Sequence, residues 1–229
     1  MIEISKIVKE FERDGRVWLR NAIPSNELKN FKELSSLDGR PGARIPGNSP
    51  LYRAIEAASF NKVIRTAWSG MRPIRLISFD KNADANWGVP WHQDRVITVK
   101  DRVEMSGYSN WSRKSGTWHC EPPAKFLGSM LFVRVHLDRN TAESGAMEIA
   151  LGSHREGKVP AGSAASTAAC YEAELTAAEP GDVLVLAMLT LHRSLPAEFE
   201  IDRHVLRVDY SPFQLPEPLE WASETIKAR

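Results

Sequence analysis

The chain has 229 residues, with Lys+Arg 30 against Asp+Glu 29 and a formal charge of +1. That balance excludes sequence-independent nucleic-acid binding as the main activity, because no surplus of cations exists to displace counterions from a phosphate backbone. A hydrophobic content of 42% with 26% charged residues excludes wholesale disorder, and two cysteines exclude a disulfide framework or a four-thiolate zinc site. No apolar run reaches the ~18 residues of a membrane span, and residues 1–20 lack the apolar core of a signal peptide, so a reducing cytoplasm is the expected location.

Ile4, Ile7, Val8 and Phe11 form the i, i+3, i+4, i+7 stripe of an amphipathic helix, with Gly15 as its stop and a short strand over 17–19. Pro24-Ser25 opens a second helix to about Leu34. Residues 38–50 are rich in Gly and Pro and read as a loop, with further helices at 52–59 and 61–68. After Pro73 come short runs rich in β-branched and aromatic residues, at 74–79, 132–136, 147–150, 183–187 and 205–210. Turn-forming stretches separate them: Asn82-Ala83-Asp84, Glu143-Ser144-Gly145, Pro180-Gly181-Asp182 and Pro196-Ala197. The Ala/Ser-rich stretch 161–169 reads as a surface loop or a weak helix. Helices first and strands after predict a mainly β, α+β chain whose β body is a sandwich or jelly roll. A single domain, 1–229, is expected: helical support over 1–72, the β core over 73–215 and a tail over 216–229.

The chemistry concentrates in Trp91-His92-Gln93-Asp94. On an extended strand residues i and i+2 share a face, so His92 and Asp94 converge while Gln93 turns away. One imidazole and one carboxylate supply two adjacent metal ligands, and His192, at a late strand end, supplies a third. Two histidines and a carboxylate are the facial triad of non-haem Fe(II) oxygenases, which leaves coordination positions open. A structural zinc site would instead be closed by a fourth protein ligand, and none is evident. A 2-oxo dicarboxylate chelating such a metal needs a cation at its far end. Arg203, eleven residues beyond His192, and Arg207 share a strand face, and spacing alone does not choose between them.

These residues sit within blocks that run in a fixed order: Gly42-Ala43-Arg44, Phe79-Asp80-Lys81, Trp91 to Asp94, His119-Cys120-Glu121-Pro122-Pro123, Arg134-Val135-His136-Leu137-Asp138, Ser144-Gly145-Ala146-Met147, Gly152-Ser153-His154-Arg155, His192-Arg193-Ser194-Leu195-Pro196 and Arg203-His204-Val205-Leu206. In this order they resemble the phytanoyl-CoA dioxygenase-like family of Fe(II)/2-oxoglutarate oxygenases, its short bacterial members in particular. The resemblance covers about residues 42–212. It implies a double-stranded β-helix core, the cupin-like jelly roll, with the N-terminal helices packed outside. It also implies iron held by His92, Asp94 and His192, the co-substrate 2-oxoglutarate held by Arg203 and Ser194, and O2 as oxidant, with ascorbate as a supporting reductant. Arg134, Gln93, Ile77 and Arg44 fall at further co-substrate positions, Arg134 where the mammalian enzyme carries Trp. Leu151 replaces the usual proline before Gly152-Ser153-His154, a change confined to a turn.

The resemblance implies hydroxylation of a small molecule with release of succinate and CO2, and Asp94 argues against halogenation, since halogenating relatives lose this carboxylate. Desaturation or ring formation uses the same centre. The alternative from another class is a non-oxidative cupin-like metal protein, an isomerase or small-molecule binding module. Arg203 and Ser194, with no use outside a co-substrate pocket, argue against it. Residues 95–128 show no clear core periodicity and are expected to form a lid insertion over the metal, with Trp111, Trp118 and His119 facing substrate. Trp87 and Trp91 are expected to support the metal strand, His136 and His154 to be structural, and Cys120 and Cys170 to be free thiols.

Overall fold

The first apolar stripe folds as expected, into helix α1 (Ile4–Asp14), in the computed structural model, which describes residues 3–36, 42–81, 86, 88–198 and 203–222. Gly15 ends α1 in the left-handed conformation and donates its N–H to Phe11 O at 2.8 Å. A Cβ there would lie 2.3 Å from His154 Nδ1, so only glycine fits. The chain continues through β1 (Arg16–Leu19), α2 (Ser25–Ser35), β2 (Gly42–Ile45), α3 (Pro50–Ala57), α4 (Ser59–Ala67) and β3 (Arg72–Lys81). Next come β4 (Val89–His92), β5 (Ile97–Val99), β6 (Ser109–Lys114), β7 (Thr117–Glu121), α5 (Ala124–Gly128), β8 (Leu131–His136) and β9 (Met147–Ala150). A weak helix α6 (Ala164–Ala168), β10 (Ala173–Leu175), β11 (Val183–Ala187), β12 (His192–Ser194) and β13 (Arg203–Ser211) complete it. No helix among the described residues is long and apolar enough to cross a membrane.

Among these residues the strands form three antiparallel sheets. The six-stranded sheet runs β1-β11-β8-β13-β3-β2, and a four-stranded sheet runs β10-β9-β12-β4. Strand alternation gives the large sheet two faces. Leu131, Val133 and Val135 of β8, with Leu206, Val208 and Tyr210 of β13, face Ile7, Phe31, Leu51, Ile55, Phe60 and Ile64 of the helices. Each fully buried side chain of this kind contributes about 1.5–3 kcal/mol, so this layer fixes the sheet from outside. The alternate residues, including Phe132, Leu184 and Leu186, turn inward and meet Met147 and Ile149 of the smaller sheet. Two facing antiparallel sheets with helices outside are the jelly roll expected from the sequence.

Two expectations about loops change. Residues 42–45, placed within a Gly/Pro-rich loop, form β2, an edge strand paired with β3 from Gly42↔Phe79 to Ile45↔Leu76. Residues 38–41 of that loop and the turn at 82–84 lie outside the described residues. The 95–128 insertion is a three-stranded sheet, β5-β7-β6, followed by α5. Its hairpin turns at Ser115 (φ 48) and Gly116 (φ 79), between the paired Lys114 and Thr117, the backbone required by a tight two-residue turn. Glu121 ties the insertion down by accepting from Asn110 Nδ2 at 2.8 Å and Lys158 Nζ at 2.9 Å.

Candidate active site

Strands β4 and β12 of the smaller sheet lie side by side, with His92 directly opposite His192. This pairing carries the site, because it brings residues from distant parts of the chain into one register row. The ring centroids of His92 and His192 are 4.2 Å apart. One ligand atom from each of His92, Asp94 and His192 can be chosen so that all lie within 4.8 Å of one another.

Both imidazoles are set in the same way. His92 Nδ1 lies 2.8 Å from Pro90 O and His192 Nδ1 lies 2.9 Å from Thr190 O. A carbonyl only accepts, so each Nδ1 carries the proton and each Nε2 keeps its lone pair for a metal. Burial, with His192 adding, holds the His92 pKa below its usual value, which keeps that ring neutral and able to ligate. Burial alone would raise the Asp94 pKa, but the neighbouring Arg207 charge holds it well below the usual carboxylate range. Two imidazole nitrogens and one carboxylate fit a borderline divalent cation, and no fourth His, Cys, Asp or Glu joins them among the described residues.

Arg207 is not a spare cation. Its Nη1 donates to Asp94 Oδ2 and its Nε to Asp209 Oδ1 at 2.7 Å, while Arg75 Nε donates to Asp209 Oδ2 at 2.5 Å. Burial opposes the Arg207 charge, but Asp209 and Asp94 outweigh it and raise its pKa. Of the two arginines that spacing left open, Arg207 is committed to Asp94 and Asp209. Sequence reasoning missed the Arg75–Asp209 pair. The signal was present in Arg207-Val208-Asp209, whose alternate residues share a face.

Beside the triad lies a pocket of about 170 Å³ lined by Phe132, Arg134, Met147, Ser194 and Arg203 among others. Arg203 Nη1 bonds Asn140 Oδ1 at 3.3 Å and Gly145 O, while its Nε has no partner. Gly145 offers this carbonyl from a turn at φ 69, where a Cβ would lie 2.6 Å from Leu195 O. Arg134 stands directly opposite Arg207 across β8 and β13, and its Nε also has no partner. Burial depresses Arg134 to about 9, with Arg203 and Arg207 adding, and depresses Arg203 to about 10. Two guanidinium groups with buried, unpartnered Nε atoms in one small pocket fit a carboxylate ligand.

Other candidate residues fall elsewhere. Gln93 does not enter the pocket, because its amide donates to Gly157 O at 2.8 Å and Leu189 O at 2.7 Å and accepts from Val159 N at 2.8 Å. It braces the loop behind the metal strand. Arg44 and Ile77 line a second, larger cavity instead of the co-substrate pocket. Trp111, Trp118 and His119 do not share a face. The two tryptophans pack on the apolar cluster of Ile97, Val99, Cys120 and Trp221, whereas His119, one residue after Trp118, points the other way and is buried. Trp91 packs against a small cluster around Ala150 and Leu191 with Arg193 over its ring at 5.0 Å, while Trp87 lies outside the described residues.

Comparison with known proteins agrees with this fold. No curated protein shows significant sequence similarity. Among solved structures, EctD from S. alaskensis in its apoform superposes with a TM-score of 0.69 at 18% identity, covering 95% of this chain and 80% of that one. HygX from Streptomyces hygroscopicus, with nickel, 2-oxoglutarate and hygromycin B bound, gives 0.62 at 17% identity, covering 93% and 88%. The epimerase SnoN from nogalamycin biosynthesis, in complex with Fe3+, alpha ketoglutarate and nogalamycin RO, gives 0.65 at 15% identity, covering 91% and 83%. At these identities the likeness is one of fold. The family model for phytanoyl-CoA dioxygenase matches residues 11–205, most of the chain, and the protein therefore belongs to the phytanoyl-CoA dioxygenase family.

Proposed function

We propose that the protein is an Fe(II)- and 2-oxoglutarate-dependent oxygenase that hydroxylates a small molecule, consuming O2 and releasing succinate and CO2. One observation carries this reading: the His92, Asp94 and His192 donor set stands beside a pocket lined by two arginines, Arg134 and Arg203, whose Nε atoms are buried and unpartnered. HygX, solved with nickel and 2-oxoglutarate, and SnoN, solved with Fe3+ and alpha ketoglutarate, share the fold and support the same pairing of metal and co-substrate here.

In this reading His92 Nε2, His192 Nε2 and an Asp94 oxygen hold the iron, which supplies O2 activation coupled to oxidative decarboxylation of the 2-oxo acid. Arg203 and Arg134 take the distal carboxylate, and the Ser194 hydroxyl, on the same wall, adds a donor. Phe132 and Met147 line the pocket and exclude water from the reacting groups. Arg207 keeps Asp94 ionised and oriented, a positioning role. Hydroxylation is proposed because Asp94 fills the third protein position, leaving none for a halide.

The test is succinate release over a metabolite panel, with protein, Fe(II), ascorbate, 2-oxoglutarate and air. Substrate-dependent succinate with a product heavier by one oxygen is expected. Succinate with an unoxygenated, dehydrogenated or epimerised product would retain the oxygenase chemistry and overturn hydroxylation. No succinate above the His92→Ala level with any compound would overturn the whole reading.

A further inference from the structure

A second cavity, about 860 Å³, lies between the β2–β3 edge of the large sheet and the 95–128 insertion. Phe79 lines both this cavity and the metal pocket, so the two are neighbours across one side chain. A register row on the inner face of the large sheet connects them: Arg134 stands opposite Arg207, Arg207 opposite Ile77, and Ile77 opposite Arg44. Neighbouring strands are about 4.8 Å apart, so the Arg44 backbone sits about 10 Å from that of Arg207, the partner of the metal ligand Asp94. That is the reach of one small molecule.

Arg44, Arg75 and Lys114 line the cavity, and no acidic side chain does among its described lining residues. Arg75 is already neutralised by Asp209. Arg44 is not, because its Nη1 is buried and has no hydrogen-bond partner. Burial and the like charge of Arg75 lower the Arg44 pKa, with Asp209 pulling more weakly the other way. Across from it the insertion presents the hydroxyls of Thr98 and Thr117. His119, on the Thr117 face of β7, is 1% exposed, and neither ring nitrogen meets a well-formed hydrogen-bond partner. Ile77, in the register row between Arg44 and Arg207, and Phe79, which lines both pockets, supply apolar wall toward the metal.

We infer that this cavity is the substrate site and that it selects a small molecule bearing an anionic group, carboxylate or phosphate, held by Arg44 and Lys114, with its apolar part directed past Phe79 toward the metal. The inference rests on the oxygenase reading for the word substrate, but its test does not need iron, 2-oxoglutarate or turnover.

The test uses metal-free full-length protein and two fluorescent probes with the same apolar body: 8-anilinonaphthalene-1-sulfonate, which is anionic, and N-phenyl-1-naphthylamine, which is uncharged. Losing a charge-assisted contact weakens binding by about tenfold or more. Arg44→Gln and Lys114→Gln are each expected to weaken the sulfonate by about that factor and to leave the uncharged probe unchanged. Arg203→Gln is expected to alter neither, which separates this cavity from the co-substrate pocket. Acetate and inorganic phosphate are then competed against the sulfonate. Stronger displacement by acetate assigns a carboxylate, stronger displacement by phosphate assigns a phosphate ester, and displacement by neither overturns the inference. Equal effects of Arg44→Gln on both probes, or loss of sulfonate binding in Arg203→Gln alone, would also overturn it.

Discussion

Arg207 donates to Asp94 through the same carboxylate oxygen that lies 3.2 Å from His192 Nε2. Asp94 is thereby held by a cation on one side and faces the His192 ring on the other. The cation is itself fixed by Asp209, and Asp209 by Arg75. A chain of alternating charges runs from the large sheet to the metal site, buried throughout except at the half-buried Asp94. Removing Arg207 leaves Asp94 without its cation, while Asp209 keeps Arg75.

Arg207→Met is therefore expected to destabilise the protein by about 3–5 kcal/mol, the usual consequence of stranding a buried charge. In the folded fraction, divalent-metal affinity is expected to fall about 10- to 100-fold, because Asp94 loses the group that orients it. Urea unfolding and a competitive metal titration read the two effects. Wild-type values in both would show that Arg207 does not support Asp94.

Arg134 behaves in the opposite way. Without a co-substrate it is a half-buried cation opposite another cation, with a buried, unpartnered Nε. Arg134→Met is expected to stabilise the co-substrate-free protein by about 1 kcal/mol or more and to weaken 2-oxoglutarate binding at least about tenfold. Thermal unfolding without and with 2-oxoglutarate measures both. A less stable variant with unchanged 2-oxoglutarate affinity would remove Arg134 from the pocket.

Acid sensitivity follows from buried histidines. Burial, with the Arg134 charge adding, pushes His136 down to about 3, and burial with Arg44 and Arg75 pushes His119 down to about 4. In the unfolded chain both titrate near about 6.5. Below that pH the unfolded state takes up protons that the folded state refuses. Stability present above about pH 6.5 is accordingly lost as pH falls toward 4, at up to about 1.4 kcal/mol per pH unit for each histidine. His136→Gln is expected to flatten the pH dependence of unfolding free energy between 6.5 and 4.5 by up to that slope. An unchanged slope would contradict the assignment.

The two thiols differ in access. Cys120 is fully buried, and burial pushes its pKa up to about 12, while Cys170 is exposed. Iodoacetamide at neutral pH is expected to label Cys170 alone in the folded protein and both after denaturation. Mass spectrometry counts the adducts. Rapid labelling of Cys120 in native protein would indicate that the insertion opens.

The helices and the long inner strands were legible because their patterns are local: a 3.6-residue stripe in α1, and β-branched runs in β8, β11 and β13. The convergence of His92, Asp94 and His192 was legible for a similar reason, since His92 and Asp94 share a strand face and His192 lies in a motif of its own. β2 was not, because an edge strand of Gly42-Ala43-Arg44-Ile45 has no apolar alternation and is held by pairing with β3. The insertion was read as irregular although Ser115-Gly116 is a hairpin signal. Its strands carry Asn110, Ser112 and Arg113 on partly solvated faces, so no core pattern marks them. Gln93 shows the remaining limit: a side chain beside two metal ligands in sequence is directed by alternation to the opposite face, where backbone groups of Gly157 and Leu189 claim it.

The central claim is that His92, Asp94 and His192 together hold one ferrous ion with room for a chelating 2-oxo acid. Anaerobic titration of the protein with Fe(II) and 2-oxoglutarate, followed in the visible region, tests it most directly. The account predicts a weak metal-to-ligand charge-transfer band that saturates at one iron per chain, disappears in His92→Ala and weakens in Arg203→Gln. A wild-type protein that gives no band at saturating Fe(II) and 2-oxoglutarate, or a His92→Ala variant that keeps it, would contradict the account.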